Sequence, residues 1–361
     1  MRRRHLLMWP SLLAGPVAAA EGVDSVRRGR PLAFPRDHGA HLTARTEWWY
    51  ATGWLGTPET PTHGFQVTFF RSRTGLAEGS NSRFAARHLL FAHAALTDLG
   101  AQRHRHDQRI ARWGGQGPTG GASASTADAD ILLGHWRLAR QDLAGGASAY
   151  RAEVDAGTAF SLNLTLRSTQ ALLLQGDAGF SRKGPDETQA SHYYSEPQLA
   201  VGGRIGSSPV NGTAWLDHEW SDQILHPEAV GWDWIGINLF DGSALTAFRL
   251  RRADGSALWA GGSHRPRDGI ARSFAPTEVR FAAGRRWSSP ATGASYPLQW
   301  DIETPAGRHT LRALMDSQEL DSRSSTGTVY WEGLSELLDA SGRRVGLGYL
   351  EMTGYAGRLK L

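Results

Sequence analysis

The stretch Glu47-Trp48-Trp49-Tyr50-Ala51-Thr52-Gly53-Trp54-Leu55 is followed by a polar turn containing Pro58 and Pro61, then by Gly64-Phe65-Gln66-Val67-Thr68-Phe69-Phe70. Aromatic and β-branched side chains stand well on a pleated surface, and proline interrupts the ladder between the two runs. Together they read as a β-hairpin. Outward from it the texture repeats. Residues 88–97 are another apolar run, 114–130 a flexible excursion of Gly, Ala, Ser and Thr, and strands fit 134–140, 150–154, 159–166 and 171–175. Past a turn-rich stretch ending near Pro209, strands fit 212–220 and 230–239, and the Asp241-Gly242 and Asp254-Gly255 turns continue a meander through 245–251 and 258–261. Later strands fit 279–281, 298–302, 309–314, 329–334 and 344–351. No long segment carries a 3.6-residue apolar period, and no β–α–β alternation is visible, so the expected fold class is all-β.

Glu47-Trp48 and Glu219-Trp220 open similar aromatic stretches, a weak internal repeat that suggests two related antiparallel β-barrels in tandem. The expected division is a signal peptide at 1–20, a lead-in segment at 21–45, an N-terminal barrel at 46–205 and a C-terminal barrel at 206–361.

Composition agrees with this reading and removes several function classes. Forty-three glycines and 14 tryptophans among 361 residues suit a turn-rich β protein. There is no cysteine, so disulfides, zinc–thiolate sites and a cysteine nucleophile are excluded. The net charge of +4 leans on Arg2, Arg3 and Arg4; without them 36 basic residues face 35 acidic ones, and nothing calls for a nucleic-acid partner. The chain start itself has a charged segment, an apolar run over 6–17 and an Ala18-Ala19-Ala20 exit, the three parts of an export signal. A periplasmic or secreted location is expected, by the general secretory route or, given Arg3-Arg4, the twin-arginine route. No later apolar run reaches membrane-spanning length, so no transmembrane segment is expected in the mature chain.

Leu216-Asp217-His218-Glu219-Trp220 is the best candidate for chemistry. As a strand it places His218 and Trp220 on one face and Asp217 and Glu219, with Trp215, on the other. Downstream, Trp232 and Trp234 share a face opposite Asp233. An apolar cavity holding a His, a few carboxyls and several indole rings can protonate an isolated alkene, stabilise the cation and admit water; His218 and Trp220 are expected to line it, with at least one carboxyl from Asp217, Glu219 or Asp233 nearby. Burial raises a carboxyl's pKa and makes it such an acid. Trp49, Tyr193, Tyr194, Glu351 and Tyr355 are candidate ligand contacts, with Glu351 and Tyr355 expected on one strand face with Tyr349. The same residues are compatible with a polar network that ties two barrels together. His104-Arg105-His106-Asp107 has metal-like spacing but reads as a solvated loop, and neither a metal nor a cofactor is expected. There is no G-x-S-x-G elbow and no P-loop.

The motifs at 46–50, 65–71, 193–197, 215–221, 231–238 and 348–355 resemble the AttH-like family, which includes the carotenoid 1,2-hydratases (hydroxyneurosporene synthases) and an exported branch called predicted secreted hydrolases. The resemblance spans nearly all of the chain after Thr46 and implies two lipocalin-like barrels. It implies that a His-x-Trp pair linked to hydratase activity matches His218 and Trp220. Residues 244–250 hold neither Tyr nor Asp, where the hydratases carry a Tyr-x-Asp element. Three functions remain open: cofactor-free hydration, isomerisation or cyclisation of a lipophilic, isoprenoid-like substrate; a periplasmic carrier of an apolar ligand beside an ABC-type exporter; and a structural or assembly factor with filled barrels and no ligand.

Overall fold

The computed structural model describes residues 25–359 apart from Asn81, Arg83 and Ile224; the signal-peptide reading of 1–20 lies outside the described residues. Among the described residues the only helical pieces are three short 3-10 turns, and the chain is otherwise strands and connections.

The first sheet has 13 strands, and its long members are β1 (Thr46–Gly56), β2 (Pro61–Arg73), β3 (His88–Asp98), β4 (Arg103–Trp113), β5 (Ala190–Ile205) and β6 (Ser208–Ser221). Their order is β4-β3-β2-β1-β6-β5, continuing through Ser161–Arg167, Ser148–Asp155, Trp136–Asp142 and Asp130–Leu133 to Ala122–Ala124, which returns against β4 so that the sheet nearly closes. The second sheet has ten strands, including β7 (Gly231–Leu239), β8 (Ala244–Arg251), β9 (Ala257–Arg265), β10 (Val329–Leu338) and β11 (Arg344–Met352). Its central order is β9-β8-β7-β11-β10, and its two edge strands are joined by the Pro276–Glu278 turn. The fold is therefore all-β, with two antiparallel, barrel-like sheets.

Each sheet encloses its own core because alternate side chains point inward. Trp49, Ala51, Phe65, Val67, Phe69 and Leu216 fill the first, and Ile235, Ile237, Trp300, Trp331, Leu350 and Met352 the second. A third apolar cluster, with Tyr50, Trp54, Trp215, Trp234, Phe248 and Tyr349, lies between the two sheets.

Three expectations need correction. The division at 205/206 would cut a continuous hairpin: β5 and β6 pair up to Ile205 opposite Ser208, and β6 pairs with β1 from Thr46 opposite Ser221 to Leu55 opposite Gly212. The change of sheet falls between Ser221 and Gly231. His104-Arg105-His106-Asp107 is part of β4, paired along its length with β3, and is not a loop. Finally, part of the lead-in packs as core: Asp37, His38, His41 and Ala44 are buried.

Candidate functional site

The registers line up side chains from several strands in rows. On the face of the first sheet that looks toward the second, Phe70, Trp48, Glu219 and Tyr193 form one row across β2, β1, β6 and β5. The next row on the same face is Thr68, Tyr50, Asp217 and Ser195. On the second sheet, Phe248, Trp234, Glu351 and Glu332 form a row across β8, β7, β11 and β10. Between these rows lies a cleft of about 110 Å³. Trp48, Phe70, Trp232 and Glu351 are half-buried and form its rim. Gly236, two residues after Trp234, makes room for the wall: a Cβ there would meet the Trp234 ring at 2.3 Å.

The cleft is apolar apart from a small set of acids and one amine. Asp217 accepts hydrogen bonds from Tyr193 Oη (2.7 Å), Ser195 Oγ (2.6 Å) and Trp215 Nε1 (2.7 Å). Glu219 pairs with Lys183 Nζ at 2.9 Å and accepts from Ser191 Oγ. Lys183, one of two lysines in the chain, lies 4.3 Å from the centroid of the Phe248 ring. Glu332 and Glu351 are directly opposite each other on β10 and β11. Tyr50 Oη and Glu332 Oε1 are buried in the cleft lining, where the two groups interact with each other but neither atom makes a well-aligned hydrogen bond among the described residues.

Burial and like charge act on these carboxyls in the same direction. Burial pushes Asp217 up to about 7, against its three hydrogen bonds, with the Glu219 charge adding to the rise. Burial also raises Glu351 to about 7, with the Asp217 and Glu219 charges adding to it and Trp232 opposing. Glu332 is raised well above the usual range by burial and by the Glu351 charge. The cleft therefore holds carboxyls that keep their protons to higher pH than exposed ones do, Glu332 longer than Glu351.

This has a consequence for stability. A carboxyl whose folded pKa exceeds its unfolded value binds more protons when folded, so its contribution is present at low pH and lost as pH rises toward the folded pKa. For Glu351 the window runs from about 4.5 to about 7. Glu351→Gln should match the wild type at about pH 4 and be more stable at about pH 8, by on the order of 2–3 kcal/mol after a discount for partial exposure. Urea unfolding of both proteins at the two pH values measures this, and an equal difference at both pH values would contradict it.

The candidate residues divide between two faces. Asp217, Glu219, Trp232, Trp234 and Glu351 line the cleft, with Tyr193 bonded to Asp217 just behind its wall. His218, Trp220, Trp49 and Tyr194 point into the first barrel and are fully buried, away from the cleft lining. There His218 Nδ1 lies 3.1 Å from the Asp37 carbonyl oxygen and Nε2 3.0 Å from Glu47 Oε1; the ring stacks on Trp49. Trp220 stacks on His41. Asp233 and Tyr355 bond to each other inside the second barrel. Tyr355 lies beyond the end of β11, so it does not share the Glu351 face. Glu332, Lys183, Tyr50 and Phe248 are cleft residues that the sequence reading did not single out.

His41, Glu47 and His218 bring three ligand-type atoms within 4.8 Å of one another. Each is already engaged: His41 Nδ1 lies 2.7 Å from Glu47 and its Nε2 3.0 Å from Asp37, while Arg71 Nε donates to Glu47 Oε2 at 2.8 Å. The guanidinium supplies the positive charge that a metal would otherwise bring.

Fold and cleft together define a class: a two-barrel β protein with an acid-lined apolar cleft between its sheets. The family model for AttH-like proteins matches residues 25–355, and the chain belongs to the AttH-like family. The solved structure of an AttH protein from Nitrosomonas europaea is 45% identical, with 92% of this chain and 99% of that chain covered and a TM-score of 0.81. Kievitone hydratase from Nectria haematococca is similar in fold, at 13% identity over 92% of this chain and 96% of that chain, with a TM-score of 0.65. No curated protein matches the chain. Among the described residues, no helix is long and apolar enough to cross a membrane.

Proposed function

We propose that the protein is a cofactor-free, hydratase-type enzyme that adds water to an isolated C=C bond of a lipophilic, isoprenoid-like ligand held in the cleft. The observation that carries this reading is the Glu332–Glu351 pair, two carboxyls opposite each other on adjacent strands within an aromatic wall. The protonated carboxyl transfers its proton to one alkene carbon as the π electrons form the new C–H bond. The cation left on the neighbouring carbon faces the indoles of Trp48, Trp232 and Trp234. A water attacks it, and the proton that water loses returns to the carboxylate pair, so substrate plus water gives an alcohol and the acid is regenerated. A cleft of about 110 Å³ suits one branched alkene end of a ligand better than its whole length. The acid that a Tyr-x-Asp element would supply is absent from 244–250, where Phe248 joins the apolar wall instead. A hydratase of similar fold supports the reading only by showing that the fold accommodates the chemistry.

The test uses an acyclic isoprenoid with a terminal isopropylidene group as probe, incubated with the protein in ¹⁸O-water. Alcohol carrying one labelled oxygen is the expected product. Ligand that co-purifies unchanged would replace the enzyme with the carrier, whose partner would then be an exporter component. We also propose that the enzyme works outside the cytoplasm. A mature N-terminus near Glu21 in the native host is expected by mass spectrometry, and an intact start at Met1 on all of the protein would refute export by a cleaved signal.

A further inference from the structure

Tyr355, which the cleft leaves aside, lines a second hollow of about 730 Å³ at the mouth of the second barrel, and Asp233 is buried beneath it, bonded to Tyr355. Arg249 and Arg251 alternate along β8 and point to the same side. Arg249 Nε lies 2.8 Å and Arg251 Nε 3.1 Å from the same Asp233 oxygen, Oδ2, and Tyr355 Oη donates to Oδ1 at 2.9 Å. One buried carboxylate thus serves two guanidiniums and a phenol. Arg286 and Arg358 line the rim of the same hollow, and Asp254 is its only lining acid among the described residues. Counting Asp233 beneath, four guanidiniums face two carboxylates.

The arginines are held ready. The Arg251 guanidinium lies 3.8 Å from the Tyr355 ring centroid, and that of Arg249 4.8 Å from the Trp300 centroid. Arg251 is 5% exposed; its Nη2 donates to the Thr353 carbonyl oxygen, while its Nε faces Asp233 without an aligned hydrogen bond. A buried cation without full pairing is costly, and an oxyanion is the partner that matches a guanidinium fork. From this excess of positive charge in a shaped hollow we infer an oxyanion-binding site at the mouth of the second barrel, built for the carboxylate or phosphate group of a small ligand. It is separate from the cleft and does not depend on the chemistry assigned there.

The experiment is calorimetric titration of the full chain with two probes, inorganic phosphate and benzoate, at constant ionic strength in chloride. Saturable binding of at least one probe is expected, and the tighter of the two identifies the group as phosphate or carboxylate. Arg286 and Arg358 are exposed, so Arg286→Ala/Arg358→Ala should fold normally and bind at least tenfold more weakly. Glu351→Gln should bind like the wild type. The inference is overturned if neither probe binds saturably, if the double variant keeps wild-type affinity, or if Glu351→Gln tightens binding and so places the probe in the cleft.

Discussion

Glu332→Gln and Glu351→Gln are each expected to lower hydration of the isoprenoid probe by roughly 10²- to 10⁴-fold, the range by which a positioned general acid or base accelerates proton transfer. That corresponds to about 3–5 kcal/mol of barrier. Glutamine keeps the shape and cannot deliver the proton. The two substitutions also make distinct statements about pH. Removing Glu351 relieves Glu332 of a neighbouring charge, so the group that remains ionises more easily. The limb on which activity falls with rising pH should then move to lower pH in Glu351→Gln. A variant that merely loosened the cleft would lose rate at every pH with no displacement of that limb. Rate–pH profiles of both variants decide the matter, and wild-type rates in both would remove the pair from the mechanism. Circular dichroism on the same samples separates loss of chemistry from loss of fold.

The site was only half legible in the sequence, for a physical reason. A strand's period of two divides its side chains into two sets with certainty, and the partition of Asp217 and Glu219 from His218 and Trp220 follows from that alone. It does not say which set faces a cavity. In this fold both sides of β1 and β6 are apolar and aromatic, one closing on the first barrel's core and the other on the second sheet, so tryptophans mark both. The His-x-Trp pair belongs to the filled side. Glu332 was hidden for another reason: beside Tyr330 and Trp331 it looks like an ordinary strand residue, and its significance appears only when the β10–β11 register sets it against Glu351. Lys183 sits in a polar Ser-Arg-Lys-Gly run that reads as a turn, and only the fold carries it into the cleft against Glu219. The all-β class was readable because each hairpin is local. The sheet boundary was not, because β6 looks the same whether it opens the second barrel or completes the first.

Arg71→Ala is expected to destabilise the protein by about 3–5 kcal/mol, the cost of stranding a buried charge after its partner is removed. Arg71 is completely buried in the first barrel. Its Nε donates to Glu47 Oε2, and its Nη2 donates to the carbonyl oxygens of His41 and Ala44 at 2.7 and 2.9 Å, tying the folded-back segment to β1 and β2. Burial alone would raise the pKa of Glu47, but the Arg71 charge, with His41 and His218, outweighs it and holds that carboxyl well below its usual range. A carboxyl with a lowered folded pKa stabilises above its unfolded pKa, and that contribution is lost as pH falls. Acid should therefore open the first barrel, whereas rising pH through 7 strains the cleft, and stability should peak between the two. Arg71→Lys keeps the charge without the fork and should lose less. His218→Ala removes a ring that touches Trp49 and Glu47, and it should shift the urea midpoint in the same direction as Arg71→Ala. Because neither side chain lines the cleft, molecules of either variant that remain folded at low temperature should hydrate the probe at close to the wild-type rate. A His218→Ala protein as stable as the wild type but inactive would return the chemistry to the interior of the first barrel.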